Sequence, residues 1–171
     1  MVSKFLENDL WKIQFVIFDF DGVFTDNTVY VDENGTESVR CWRGDGLGLD
    51  MLRELDVQLA VVSTEPNPVV QKRCKKLKIQ CISACDDKAS AVMKLCKDLN
   101  VPLANTCFIG NDINDVPALK IVGFPIITND SDPSLFDLGA LKMRLQGGRG
   151  VVRELCERIV EVKNHKTRTN S

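Results

Sequence analysis

An apolar run, Phe15-Val16-Ile17-Phe18, leads into Asp19-Phe20-Asp21-Gly22, so two carboxylates stand one residue apart where a buried strand should end. Burying carboxylates is costly unless something offsets their desolvation. A metal ion, a phosphate group or both could do that. At i and i+2 of an extended chain the two side chains point to the same side, and Gly22 lets the backbone turn sharply or approach a ligand closely. The plain alternative is a strand followed by a solvated acidic turn. Three more groups stand at comparable places in the pattern. Ser63-Thr64 follows an apolar run, Lys88 opens an amphipathic segment, and Gly110-Asn111-Asp112-Ile113-Asn114-Asp115 follows a third apolar run. Taken singly, each has an ordinary reading: a turn residue, a surface lysine, a capped turn.

The elements that must position these residues alternate between strand and helix patterns. Strands are expected at Lys12 to Asp19, Val57 to Ser63, Ile79 to Ile82, Thr106 to Ile109 and Gly123 to Ile127. Helices are expected at Gly46 to Leu55, Pro68 to Leu77, Lys88 to Leu99, Asp115 to Lys120, Asp132 to Leu138 and Arg149 to Val162. Asp86 or Asp87 could cap the helix that begins at Lys88. Thr28 to Val31 and Thr36 to Trp42 flank Asp32-Glu33-Asn34-Gly35, a β-hairpin signal centred on Asn-Gly. Alternating βα units imply an α/β fold with a doubly wound, Rossmann-like parallel sheet. Ligands of such sheets sit beyond the carboxyl ends of the strands. That edge would gather Asp19 with Asp21, Ser63 with Thr64, and Asn111 with Asp112, and Lys88 could reach it.

With 171 residues, 44% of them hydrophobic and 27% charged, the chain reads as one globular domain over 1–162, with a hairpin insertion at about 28–42. The polar stretch 163–171 is expected to be a disordered tail. A net charge of -2 gives no electrostatic case for nucleic acid or an anionic membrane surface. No apolar run approaches the roughly 20 residues of a spanning helix, and Met1 to Leu10 is too polar for a signal peptide. Seven cysteines, an odd number without a Cys-x-x-Cys pair, read as reduced thiols of a cytoplasmic protein. The single histidine, His165, makes Cys/His zinc sites and a His-based triad poor candidates.

Asp19-Phe20-Asp21-Gly22-Val23 resembles the first motif of the haloacid dehalogenase superfamily, Asp-x-Asp-x-Thr/Val. Ser63, Lys88 and the Gly110-led acidic cluster follow in that superfamily's order. The resemblance implies that Asp19 is the nucleophile and Asp21 the general acid, with catalytic roles for Ser63 and Lys88. It implies a Mg²⁺ ion held by Asp19, by Asp21 through its backbone carbonyl, and by either Asn111 or Asp112. Asp45-Gly46-Leu47-Gly48, Asp87-Lys88, the Gly110 to Pro117 segment and Gly147 to Glu154 narrow it to a cap-less group. That group holds 3-deoxy-octulosonate 8-phosphate phosphatases, sialic acid 9-phosphate phosphatases and the phosphatase-like domain of CMP-sialate synthetases. It spans about residues 12 to 160.

The group implies a homotetramer built through the hairpin, a neighbouring subunit helping to cover each site, and no separate cap domain. Thr64, Arg149 and Arg153 are the implied substrate contacts. Arg43, Lys72 and Arg73 are further cations without motif support. Two departures stand out: Glu65 where the family commonly has Arg, and Asn111 where it commonly has Asp. The expected function is Mg²⁺-dependent hydrolysis of a 3-deoxy-2-ulosonic acid phosphate, of eight or nine carbons, through an aspartyl-phosphate. The alternatives are a weakly active or inactive tetramerisation module and a general small-phosphate hydrolase.

Overall fold

The computed structural model describes residues 7–169. Residues 1–6, within the stretch read as too polar for a signal peptide, and 170–171, at the end of the expected tail, lie outside the described residues.

Six strands form one sheet: β1 (Phe15–Phe18), β4 (Gln58–Val62), β5 (Gln80–Ile82), β6 (Thr106–Gly110), β7 (Phe124–Ile127) and β8 (Leu141–Lys142). Their spatial order is β5-β4-β1-β6-β7-β8, and every pairing is parallel. β2 (Tyr30–Val31) and β3 (Glu37–Ser38) pair antiparallel as a separate hairpin between β1 and β4. The chain winds outward from β1 in one direction, then crosses to its other side at β6. β1 is thus the switch point at which such a sheet opens a crevice.

A strand covered on both faces reads as a continuous apolar run, and β1 is buried throughout. Its alternate side chains serve two cores. Val16 and Phe18 join Leu49, Leu52, Val151, Leu155 and Ile159, under helices α1 (Asp45–Arg53) and α5 (Val151–Thr169). Phe15 and Ile17 join Val92, Leu95, Ala118 and Leu119, under α3 (Lys88–Leu99) and α4 (Val116–Ile121). Helix α2 (Val69–Leu77) adds Val70 and Cys74 to the first core.

The parallel ladder continues one residue past two strands. The Asp19 N–H donates to the Ile109 carbonyl at 2.9 Å and the Ser63 N–H to the Ile82 carbonyl at 2.9 Å. Both side chains therefore leave the sheet edge in fixed directions.

Several boundaries differ from those expected. β1 starts at Phe15, because Leu10–Lys12 forms a 3₁₀ turn. The hairpin strands are two residues each, exposed, and form a two-stranded sheet of their own. Asp132 to Leu138 is a 3₁₀ helix, Pro133–Leu138, whose start is fixed by Asp132 accepting the Ser134 N–H. β8 is too short to show an alternating pattern in sequence.

The polar stretch from Lys163 is helical to Thr169 rather than disordered. Lys163 Nζ donates to the Trp11 carbonyl at 2.9 Å, and Lys166 Nζ lies 5.2 Å from the Trp11 ring centre. These contacts tie the last turns of α5 to the first 3₁₀ turn.

Asp45, only 1% exposed, links α1 to α5 by accepting the Arg153 N–H. Its other oxygen has no hydrogen-bond partner among the described residues. Burial pushes its carboxyl up to about 7 against the ordinary 3.8, although the Arg153 N–H bond pulls the other way. Between those two values the folded chain binds more protons than the unfolded one, so this group makes stability fall as pH rises. Asp45→Asn should flatten the decline in urea-unfolding free energy between pH 4 and 7 and raise stability at pH 8. A wild-type slope in the variant would refute this.

Candidate functional site

The carboxyl ends of β1, β4 and β6 enclose a cavity of about 270 Å³, lined by Asp19, Asp21, Ser63, Thr64, Asn111 and Asp112 together with Asn27, Val29, Glu65 and Asn114. The sheet topology thus brings together six of the residues singled out from sequence.

Asp19 is 5% exposed. Its Oδ1 accepts from the Phe20 N–H at 2.7 Å and from Lys88 Nζ at 2.8 Å. Lys88 is the first residue of α3 and is itself 2% exposed. The Asp87 side chain accepts from Ser90 N–H and caps that helix, which fixes where Lys88 leaves it. Lys88 Nζ also lies 2.7 Å from Asp115 Oδ1, so one buried ammonium is held between two carboxylates.

Asp115 is fully buried, and its Oδ2 accepts from the Asn111 N–H at 2.8 Å and the Asp112 N–H at 3.2 Å. The sequence reading placed it in the acidic cluster but gave it no place in the site. Spacing alone could not separate a helix-start cap from a partner for Lys88. Gly110 makes room for it, because a Cβ there would stand 2.5 Å from Asp115 Cγ.

Burial, reinforced by Asp115, pushes the Asp19 carboxyl up to about 7, with Lys88 pulling it down. For Lys88, burial opposes the charged form, but Asp19 and Asp115 outweigh it and hold the ammonium above its ordinary value. The half-buried Asp21 is raised mainly by burial, with Glu65 adding like charge and a hydrogen bond from Thr25 opposing. A carboxyl raised in this direction is the kind that suits a general acid.

Asn111 is 7% exposed, and its Oδ1 has no hydrogen-bond partner among the described residues. A buried amide oxygen without a donor calls for a cation or water. Oxygen ligands of this kind suit Mg²⁺, which usually takes one or two carboxylates and keeps several waters. Among the described residues no three His, Cys, Asp or Glu side chains already form a metal-binding group. A cation here would therefore draw on the Asn111 amide oxygen as well as carboxylates. Asn111 packs against the turn after Asp21, where a Cβ on Gly22 would fall 2.0 Å from Asn111 Nδ2.

Ser63 is 1% exposed, and its Oγ accepts from the Glu65 N–H at 3.1 Å, leaving its own proton to point elsewhere. Thr64 is exposed beside Asn114. Arg149 and Arg153 do not line the cavity: Arg149 is exposed, and Arg153 Nε pairs with Glu157 at 2.7 Å.

This arrangement has counterparts among known proteins. A haloacid dehalogenase-like hydrolase family model matches residues 60–140. The 3-deoxy-D-manno-octulosonate 8-phosphate phosphatase KdsC of Haemophilus influenzae is 31% identical over 160 residues, 92% of this chain and 88% of the relative. The chain belongs to the haloacid dehalogenase-like hydrolases. Solved structures agree in fold and connection. The 3-deoxy-D-manno-octulosonate 8-phosphate phosphatase of Moraxella catarrhalis, in complex with a magnesium ion, a phosphate ion and KDO, superposes with a TM-score of 0.89. It is 28% identical and covers 98% of this chain and 99% of its own. The cobalt-bound H. influenzae phosphatase gives 0.86 at 31% identity, covering 91% of each chain. The motif order read from sequence therefore reflects true membership of the family.

Removing Lys88 would leave two buried carboxylates facing each other. Lys88→Met should destabilise the fold by roughly 3 kcal/mol, in the range for breaking a buried ion pair. Adding Asp115→Asn should recover part of that loss, because it removes one of the stranded charges. Urea unfolding of the single and double variants checks this. A double variant less stable than Lys88→Met would contradict it.

Proposed function

We propose that this chain is a Mg²⁺-dependent phosphomonoesterase, one haloacid dehalogenase-like domain, that hydrolyses the phosphate ester of a 3-deoxy-2-ulosonic acid. The observation that carries the reading is Asp19, fixed by Lys88 at the end of β1, sharing one cavity with the raised carboxyl of Asp21. The relatives named above favour octulosonate 8-phosphate as the substrate, with nine-carbon sialic-type 9-phosphates as the close competitor.

Asp19 attacks phosphorus through a carboxylate oxygen, forming an aspartyl-phosphate while the ester P–O bond breaks. The bond's electron pair goes to the leaving sugar oxygen, which takes the proton of Asp21. Asp21 then accepts a proton from water as that water attacks phosphorus. This releases inorganic phosphate and restores the Asp19 carboxylate. Ser63 Oγ hydrogen-bonds a phosphoryl oxygen, and Lys88 offsets charge on the nucleophile and the phosphoryl group. The Asp19, Asn111 and Asp112 side chains and the backbone carbonyl of Asp21 are the groups that would hold Mg²⁺, which leaves the Asp21 carboxyl free for its proton. When bound, the ion offsets the repulsion between carboxylates and phosphate.

A cavity of about 270 Å³ falls below the roughly 300–1,000 Å³ of sites that enclose a whole small ligand. It suits the phosphoryl end and leaves the sugar acid for other groups. Thr64 stands at the rim. Arg149 and Arg153 are candidates for the sugar-acid carboxylate, presented from a neighbouring copy. Val29, Tyr30 and Val31 are 50 to 65% exposed on the hairpin, which favours a homotetramer built through it. All seven cysteines are free, consistent with the cytoplasm.

A second reading, an assembly module with little turnover, draws on Glu65, which puts a further carboxylate into the cavity.

Phosphate release should require Mg²⁺ and be strongest with octulosonate 8-phosphate in a panel with nine-carbon 9-phosphates and hexose phosphates. Asp19→Asn should lower it at least about 10³-fold without unfolding the chain. A folded oligomer with no release from any ester would favour the second reading.

A further inference from the structure

Thr25 is fully buried, yet nothing in the mechanism above uses it. Its hydroxyl lies 3.2 Å from each of three groups: the Gly22 N–H, the Asn27 N–H and Asp21 Oδ1. A hydroxyl has one proton and two lone pairs. Both backbone N–H groups can only donate, so they take the lone pairs. The single proton is left for Asp21 Oδ1. That oxygen is thereby fixed as an acceptor, and the proton Asp21 delivers must reside on Oδ2.

The turn that carries both residues is clamped from outside by Gly147-Gly148, part of the glycine-rich segment that carried the family resemblance. The Gly148 N–H donates to the Val23 carbonyl at 3.0 Å. A Cβ on Gly147 would fall 2.0 Å from the Gly22 carbonyl oxygen. One on Gly148 would fall 2.5 Å from the Asp26 nitrogen, at a φ of +64°. Only a backbone without side chains packs this closely. The Asp130 carboxylate holds the clamp in turn, accepting the Gly147 N–H at 3.1 Å.

We propose that Thr25 is a positioning residue for the general acid: its hydroxyl, locked by Gly22, Asn27 and the Gly147-Gly148 clamp, aims Asp21 Oδ2 at the leaving oxygen. This rests on the phosphatase reading. Protonating the leaving group matters greatly for an alkyl ester and little for an aryl ester whose phenolate leaves readily. The test is leaving-group release in the first turnover, with Mg²⁺, from octulosonate 8-phosphate and from p-nitrophenyl phosphate.

Thr25→Val should slow the sugar ester about 10- to 100-fold, a part of the roughly 10²- to 10⁴-fold that general acid catalysis contributes. The aryl ester should stay within about threefold, because it needs that catalysis least. Thr25→Ser, which keeps the hydroxyl, should restore the sugar ester. If Thr25→Val does not fold, Thr25→Ala supplies the same contrast. Equal losses on both esters, or none, in an active enzyme would overturn the role given to Thr25 alone. A wild-type chain that releases neither leaving group would overturn the phosphatase reading, and this role with it.

Discussion

One ammonium buried between two carboxylates sets the geometry of this molecule's working edge. Lys88 stands 2.8 Å from Asp19 and 2.7 Å from Asp115; Lys88 and Asp115 are sealed from solvent, while Asp19 keeps an edge on the cavity. Each of the three comes from a different part of the chain: the end of β1, the start of α3 and the turn after β6. The pairings hold only if the sheet register, the Asp87 cap and the Gly110 opening are all in place. Asp115 also gathers the Asn111 and Asp112 N–H groups, so the same interaction sets the loop that would face a cation. Desolvated charges on fixed elements need little reorganisation when charge moves during a reaction, which is the most effective form of electrostatic catalysis.

Much of this edge was legible in the sequence because chemistry and periodicity coincide there. The run Phe15 to Phe18 announces a strand buried on both faces, and its two aspartates fall where that strand opens into the cavity. The same logic puts Ser63 and Asn111 at this sheet edge, where both line the cavity. Asp115 was not legible, since a carboxylate early in a helix is ordinarily a cap and only the folded chain shows it turned toward Lys88. Thr25 was invisible for a similar reason. A threonine hydroxyl gains meaning from three local partners that no spacing rule specifies. The helical end of α5 escaped because its polar composition gives no apolar stripe, and its anchor is a tryptophan about 150 residues away.

The cavity suits a phosphoryl group, and Val29 on its wall leads into the hairpin, where Tyr30 and Val31 are exposed. A short hairpin rising from an otherwise bare edge is a poor lid but a good contact for another copy. Selectivity for a sugar acid would then depend on groups contributed across a subunit boundary. Glu65, half-buried in the cavity wall, would repel a second anion and so narrow the pose open to the carboxylate of the proposed substrate.

The central claim is that this buried cluster makes Asp19 a nucleophile toward phosphorus. Acid-quenched mass spectrometry of the Mg²⁺-loaded protein, caught within one turnover of octulosonate 8-phosphate, tests it most directly. The account predicts a hydroxylamine-labile phosphoryl adduct on the peptide bearing Asp19, absent from Asp19→Asn. Turnover with no adduct on that peptide, at any quench time, would contradict it.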